Sequence, residues 1–258
     1  MCHCELPRIC EIRGCVERRG RKGHYFENFD SSLAENPIKR KHLLHLEAEL
    51  AELNSAAWSQ LKVQVVPLFE RKAPVRGWQA AFDKLNEAKA YKYLASLGCE
   101  ELGFIPESSV SGQKTPDLKG RLGSVSMLCE VKTINPSDDE VTARGQMSAR
   151  SIQGDLPAAF FAKLCSTLET ARAQMDSYCQ DGTSRKFVYV ILNFDDSLHE
   201  YVERYMVQMQ DVCTQHELPC VEIVFDVKPE FYSATTKSPT SSLFVWSKDR
   251  TWQRLTGN

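Results

Sequence analysis

Between Glu101 and Ile134 the chain offers three strand-like stretches in succession, about 101–106, 116–122 and 125–134, with no helical pattern between them. Parallel neighbours in a sheet need a crossover of a dozen or more residues, so this order forbids a purely parallel, doubly wound sheet. Gly120 and Gly123 supply turn chemistry for a hairpin between the second and third stretches. Downstream, helical spacing over about 156–179 (Phe161, Leu164, Leu168, Ala171, Met175, Cys179) precedes the continuous apolar run Phe187–Phe194, which reads as a fully buried strand. A helix near 198–216 and a strand near 220–227 follow. The resulting order, α-β-β-β-α-β-α-β, predicts an α/β fold with a mixed sheet flanked by helices.

The sequence divides into four stretches. Residues 1–35 are polar and aperiodic and read as a tail or a small appended element. Residues 36–76 read as a helical extension, in which Leu43, Leu46, Leu50 and Leu53 form one stripe of a helix from Pro37 to about Lys62. The core is expected over 77–228, opening with a helix through Trp78, Phe82, Leu85, Ala88, Tyr91 and Ala95 that Gly98 terminates. Residues 229–258 form a C-terminal extension rich in Ser, Thr and Pro with no placed element.

The third strand carries the chemistry. Val125–Ile134 is apolar except where Glu130 and Lys132 interrupt it, and charges in such a strand are costly to bury unless paired or bound to metal. Residues two apart share a strand face, so Glu130 and Lys132 point the same way, while Met127, Cys129 and Val131 are expected to turn toward the packed face. Thr115-Pro116-Asp117 lies on the partner strand of the hairpin and can bring a second carboxylate to Glu130. Two carboxylates with water and phosphate oxygens suit Mg²⁺, and a nearby lysine suits a phosphate that gains charge. The polar stretch 135–155 follows directly and is a candidate loop for substrate selectivity.

This constellation resembles the PD-(D/E)XK nuclease superfamily, over about residues 77–227. The resemblance implies a restriction-endonuclease-like αβββαβ core, with Asp117, Glu130 and the Val131 carbonyl as Mg²⁺ ligands (Mn²⁺ as substitute) and Lys132 as the catalytic lysine. It also implies a role in catalysis and metal binding for Glu87 on the preceding helix. Gln174 and Tyr178 match the Gln-x-x-x-Tyr of a RecB-like subset, spaced to share a helix face as substrate-binding residues. The expected activity is phosphodiester hydrolysis in nucleic acid, foremost DNA, and dimers are common among such enzymes. The alternative is a non-catalytic nucleic-acid-binding or assembly subunit with the same fold. Three further triplets fit the short pattern: Glu70-Arg71-Lys72, Glu87-Ala88-Lys89 and Asp226-Val227-Lys228. Of these only the last ends a strand, and it lacks an upstream Pro-Asp.

Other classes find less support. A net charge of −2 gives no overall attraction to a polyanion, so nucleic-acid binding requires a local patch. Arg18-Arg19-Gly20-Arg21-Lys22 and Lys39-Arg40-Lys41 are the basic clusters that could bind phosphates, with a solvated surface the plainer reading of each. Cys2, Cys4, Cys10 and Cys15 lack paired C-x2-C knuckles, so structural Zn²⁺, and with it a zinc-stapled interaction protein, is not favoured. Ten cysteines scattered through predicted elements, with neither an apolar signal segment nor a membrane-length run, lead to the expectation of an intracellular, cytoplasmic protein without membrane contact. No Walker loop, G-x-G-x-x-G or G-x-S-x-G is present.

Overall fold

The computed structural model describes residues 5–106, 108, 114–136, 154–179, 183–193, 200–216, 221–229, 242–247 and 252–255. The chain divides into two compact units, Met1–Phe104 and Ile105–Asn258. The division falls after the first strand, whereas the sequence pattern suggested a core beginning near Gly77.

The first unit is helical: α1 (Pro7–Arg18), α2 (Phe29–Glu35), α3 (Pro37–Ala51), α4 (Ser55–Val65), a 3-10 turn (Val66–Phe69), α5 (Gln79–Leu85) and α6 (Glu87–Ser96), followed by strand β1 (Glu100–Phe104). Residues 5–35 therefore hold two helices, α1 and α2, rather than a tail. Ile9, Ile12 and Val16 bury one face of α1, and Phe26 and Phe29 are buried beside it in the chain. Ile9, Ile12 and Val16 keep helical spacing, but three aliphatics among arginines and glutamates make a stripe too thin to stand out in the sequence. Tertiary contacts supply what the local pattern lacks. The buried Glu47 of α3 accepts the backbone N–H groups of Arg8 and Ile9, both at 3.0 Å, capping a helix that its own N-terminal residues leave uncapped. Tyr25 packs with ring centroids 5.0 Å from both Phe26 and Phe69. The single helix expected over 37–62 is two, because Asn54 accepts the Ala57 N–H at 2.8 Å and starts α4 afresh. Gly98 ends α6 at a φ of +82°, the conformation that favours glycine.

The second unit is a six-stranded mixed sheet in the order β2 (Leu118–Leu122), β3 (Val125–Ile134), β4 (Arg185–Leu192), β5 (Val221–Val227), β6 (Ser242–Trp246) and β7 (Trp252–Leu255). β2 and β3 form the expected antiparallel hairpin, turning at Gly123, whose φ is +60°. β3, β4 and β5 are parallel, connected through α7 (Ala158–Tyr178) and α8 (Val202–Gln215). β6 and β7 add antiparallel strands in the C-terminal stretch that sequence periodicity did not place. Both crossover helices pack on one face of the sheet, as two crossovers of the same hand running in the same direction require. That face holds one apolar cluster of Leu164, Leu168, Ala171 and Met175 from α7, Tyr205, Met206 and Met209 from α8, and Leu128, Val188, Val190, Ile223 and Phe225 from the strands. Most of the polar stretch 135–155, the candidate selectivity loop, lies outside the described residues, as do Cys2 and Cys4. Among the described residues no helix is long and apolar enough to cross a membrane.

Candidate active site at the start of the hairpin

Strand register brings the acidic pair together. The β2–β3 pairing ends at Leu118 opposite Cys129, and continued by one residue it sets Asp117 opposite Glu130. Asp117 Oδ2 accepts the Val131 N–H at 2.8 Å. Continued by two residues, the same register sets Pro116 opposite Val131. A proline has no N–H, so Pro116 cannot supply the ladder bond that the Val131 carbonyl would receive at that position. The Pro-Asp dipeptide thus has a geometric reason. Proline withholds a donor from Val131, and the following aspartate takes over its N–H.

Glu130 and Lys132 share a face, as alternation requires, and the Lys132 ammonium is ion-paired with Glu130 Oε1. The expectation for the alternate residues needs correction. The face that carries Glu130 also carries Leu128 and Ile134 and is the one packed by α7 and α8. Met127 and Cys129, on the opposite face, are buried too. Strands buried on both faces lose the polar/apolar contrast from which a single packed face is inferred.

Glu130 is 2% exposed. Its second oxygen accepts a hydrogen bond from Gln174 Nε2 at 2.8 Å, and the same amide donates to the Thr115 carbonyl at 2.5 Å. Gln174 thus ties Glu130 to the residue two before Asp117, from a position bordering the buried stripe of α7. That is a different placement from the substrate-facing one expected of it. Tyr178, one turn further along α7, is 39% exposed. Glu87 begins α6 in the first unit, where it is buried and paired with Lys84 at 2.7 Å. The rival triplet ending in Lys228 is set apart by the pleat. Asp226 lies on the face away from Glu130 and accepts a hydrogen bond from Tyr189 Oη at 2.7 Å.

The electrostatics are those of two acids in one small space. Burial pushes the Glu130 carboxyl up to about 7, the charge of Asp117 pushes it in the same direction, and Lys132 pulls against both. A divalent cation would relieve that repulsion. Asp117, Glu130 and the donor-poor Val131 carbonyl form an all-oxygen set of the kind Mg²⁺ takes, completed by water and substrate oxygens. Among the described residues no group of three or more His, Cys, Asp or Glu side chains gathers as a metal cage, so any ion here relies on that backbone oxygen and on solvent. The structural parts played by Thr115, Pro116 and the bridging Gln174 amide do not follow from the sequence pattern. Pro116 is visible there as half of the dipeptide, but its effect depends on register.

No protein-family model matches the chain, and no curated protein matches it. A solved structure, SfsA of Pyrococcus furiosus in complex with Ca²⁺, shows a likeness at 13% identity and a TM-score of 0.22, covering 58% of this chain. The chain spans 56% of the length of that one. A likeness at this level leaves the reading of the site to its own geometry.

Proposed function

We propose that the chain is a metal-dependent nuclease with a restriction-endonuclease-like core, acting on phosphodiester bonds of nucleic acid, with DNA the first substrate to test. The observation that supports it most is the meeting of Asp117 and Glu130 at the start of the β2–β3 hairpin, with Lys132 on the same strand face. Asp117, Glu130 and the Val131 carbonyl would hold Mg²⁺ or Mn²⁺. When bound, the ion neutralises the scissile phosphate and makes a coordinated water more acidic. The chain's own groups do the rest. Gln174 fixes the Glu130 carboxylate in place, and Asp117 is steadied through the Val131 N–H. Lys132, 28% exposed, has the reach to place its ammonium against a phosphate oxygen that gains charge. The reading draws on these residues and not on Glu87.

A second reading has one observation in its favour: Glu130 is already satisfied internally by Lys132 and Gln174. Such a closed site suits a subunit that binds nucleic acid without turnover. Labelled single-stranded, duplex and branched DNA incubated with Mg²⁺ or EDTA separates the two. The nuclease reading expects Mg²⁺-dependent cleavage that Lys132→Ala and Asp117→Ala reduce by at least ~10²-fold, the scale of losing one electrostatic stabiliser. Equal traces for wild type and both variants would remove it, and retained binding without cleavage would favour the second reading.

A further inference from the structure

The first unit displays a concentration of positive charge that the proposed active site does not use. Two turns carry it. One runs from Arg18 to Tyr25 and bends at Gly20 and Gly23, with φ of +66° and +78°. The other runs from Glu70 to Gly77 and is closed by reciprocal backbone bonds between Ala73 and Gly77 at 2.9 and 3.0 Å. Far apart in sequence, they are laced together in space. The buried carboxylate of Glu70 takes Arg19 on one oxygen and Arg21 on the other, the latter at 3.1 Å, and the Tyr25 N–H donates to the Phe69 carbonyl at 3.1 Å.

The lacing sets Arg18, Arg19, Arg21 and Lys22 beside Arg71 and Lys72. All six are exposed. Arg19 and Arg21 share a single carboxylate while keeping 49% and 66% of their side chains in solvent. Among the described residues Arg18, Lys22, Arg71 and Lys72 have no carboxylate partner, and the Arg18 guanidinium rests on Cys15 Sγ at 3.2 Å. Of the acids nearby in sequence, Glu17 pairs with Arg13, and Glu27 accepts the Gly23 N–H within the first turn without pairing with any of its cations. In a chain of net charge −2, crowding these cations together costs repulsion that the fold does not recover internally. Glu70 holds the two turns in register, so the display is built rather than incidental.

We propose that these two turns form a docking surface for the phosphate backbone of nucleic acid. Arginine forks match phosphate oxygens in pairs, and a row of exposed cations gains affinity by releasing condensed counterions. An anionic membrane fits less well. Binding there needs an apolar face to enter the interface, and the second turn offers Val75 as its exposed large hydrophobic. The nuclease reading enters only in choosing nucleic acid among polyanions.

The test uses the full chain in EDTA, so that binding is measured without cleavage. A fluorescent duplex and a single strand are titrated over a salt series. The Lys22→Ala/Arg71→Ala/Lys72→Ala variant is expected to bind at least ~10-fold more weakly at low salt. Its log K against log salt plot is expected to flatten by ~0.9 for each duplex phosphate it no longer neutralises. Lys92→Ala, an exposed lysine elsewhere in the same unit, is expected to bind as wild type does. Equal binding by the triple variant and wild type overturns the proposal, as does an equal loss in Lys92→Ala. So does capture of phosphatidylserine vesicles that the triple variant loses while its duplex binding stays intact. Absence of cleavage in the Mg²⁺ assay bears on the active site alone and leaves this result standing.

Discussion

Both units bury glutamate among the described residues, Glu130 in the second and several in the first, and how each is partnered separates architecture from chemistry. Glu49, in α3, faces basic groups: Lys89 Nζ lies 3.1 Å and His45 Nε2 3.0 Å from the same carboxylate oxygen. Burial raises its carboxyl, but Lys89 and His45 outweigh burial and leave it below the ordinary glutamate value. Glu130, in β3, is driven the other way, to about 7, first by burial and then by the charge of Asp117 beside it. A raised value alone marks nothing, since burial also raises Glu47, whose carboxylate merely caps a helix. The distinguishing feature is a second acid beside the buried one, an arrangement no purely structural glutamate needs.

The largest expected effect tests the architectural side. Lys89→Met leaves Glu49 buried without its lysine and is expected to cost about 3–5 kcal/mol, read as a fall in the urea midpoint. A loss below about 1 kcal/mol would mean that Glu49 is no more dependent on its cation than Glu130 is. The next effect is on the chemical side. Saturating Mg²⁺ is expected to stabilise the protein by about 2.7 kcal/mol at 100 times its Kd, seen as a rise in Tm that Asp117→Asn abolishes. Gln174→Ala should be milder, at about 1–3 kcal/mol, because it leaves a buried carboxylate oxygen short of a donor. If Gln174 positions Glu130, cleavage also falls in that variant while substrate affinity holds; if it contacts substrate, affinity falls as well.

The smallest effect concerns pH, and its sign follows from the raised Glu130 carboxyl. The folded protein holds this proton more tightly than the unfolded chain, so the contribution to stability is fully present below about 4.5. It is lost as pH rises through about 7. Metal-free protein is therefore expected to lose Tm across that window, and Glu130→Gln should flatten the slope. Mg²⁺ competes with the same proton, so its affinity is expected to rise with pH through about 7. A Tm profile identical in wild type and Glu130→Gln would show that the Glu130 carboxyl is not raised as described.

Much of the second unit was legible because its signals are local. Gly123 turns the hairpin, the Phe187–Phe194 run marks a buried strand, and the α7 stripe sits at helical spacing. Asp117, Glu130 and Lys132 could be named together because hairpin register and strand alternation are short-range rules. The first unit was read poorly for the opposite reason. The N-terminus of α1 is completed by Glu47, 38 residues beyond Ile9, and the basic turns are joined by Glu70, 51 residues beyond Arg19. β6 and β7 likewise depend on pairing with β5 more than on a pattern of their own.

By itself, then, the sequence determined the order of elements from β1 to β5, the hairpin and the spacing of its charged residues, all set by backbone geometry over a few residues. Only the tertiary structure decided that Gln174 grips Glu130 rather than facing outward. It alone showed that the Glu130 face is the one α7 and α8 cover, and that two distant turns pool their cations. Those outcomes depend on which surfaces bury together, and burial is a property of the whole packed chain that no local window contains.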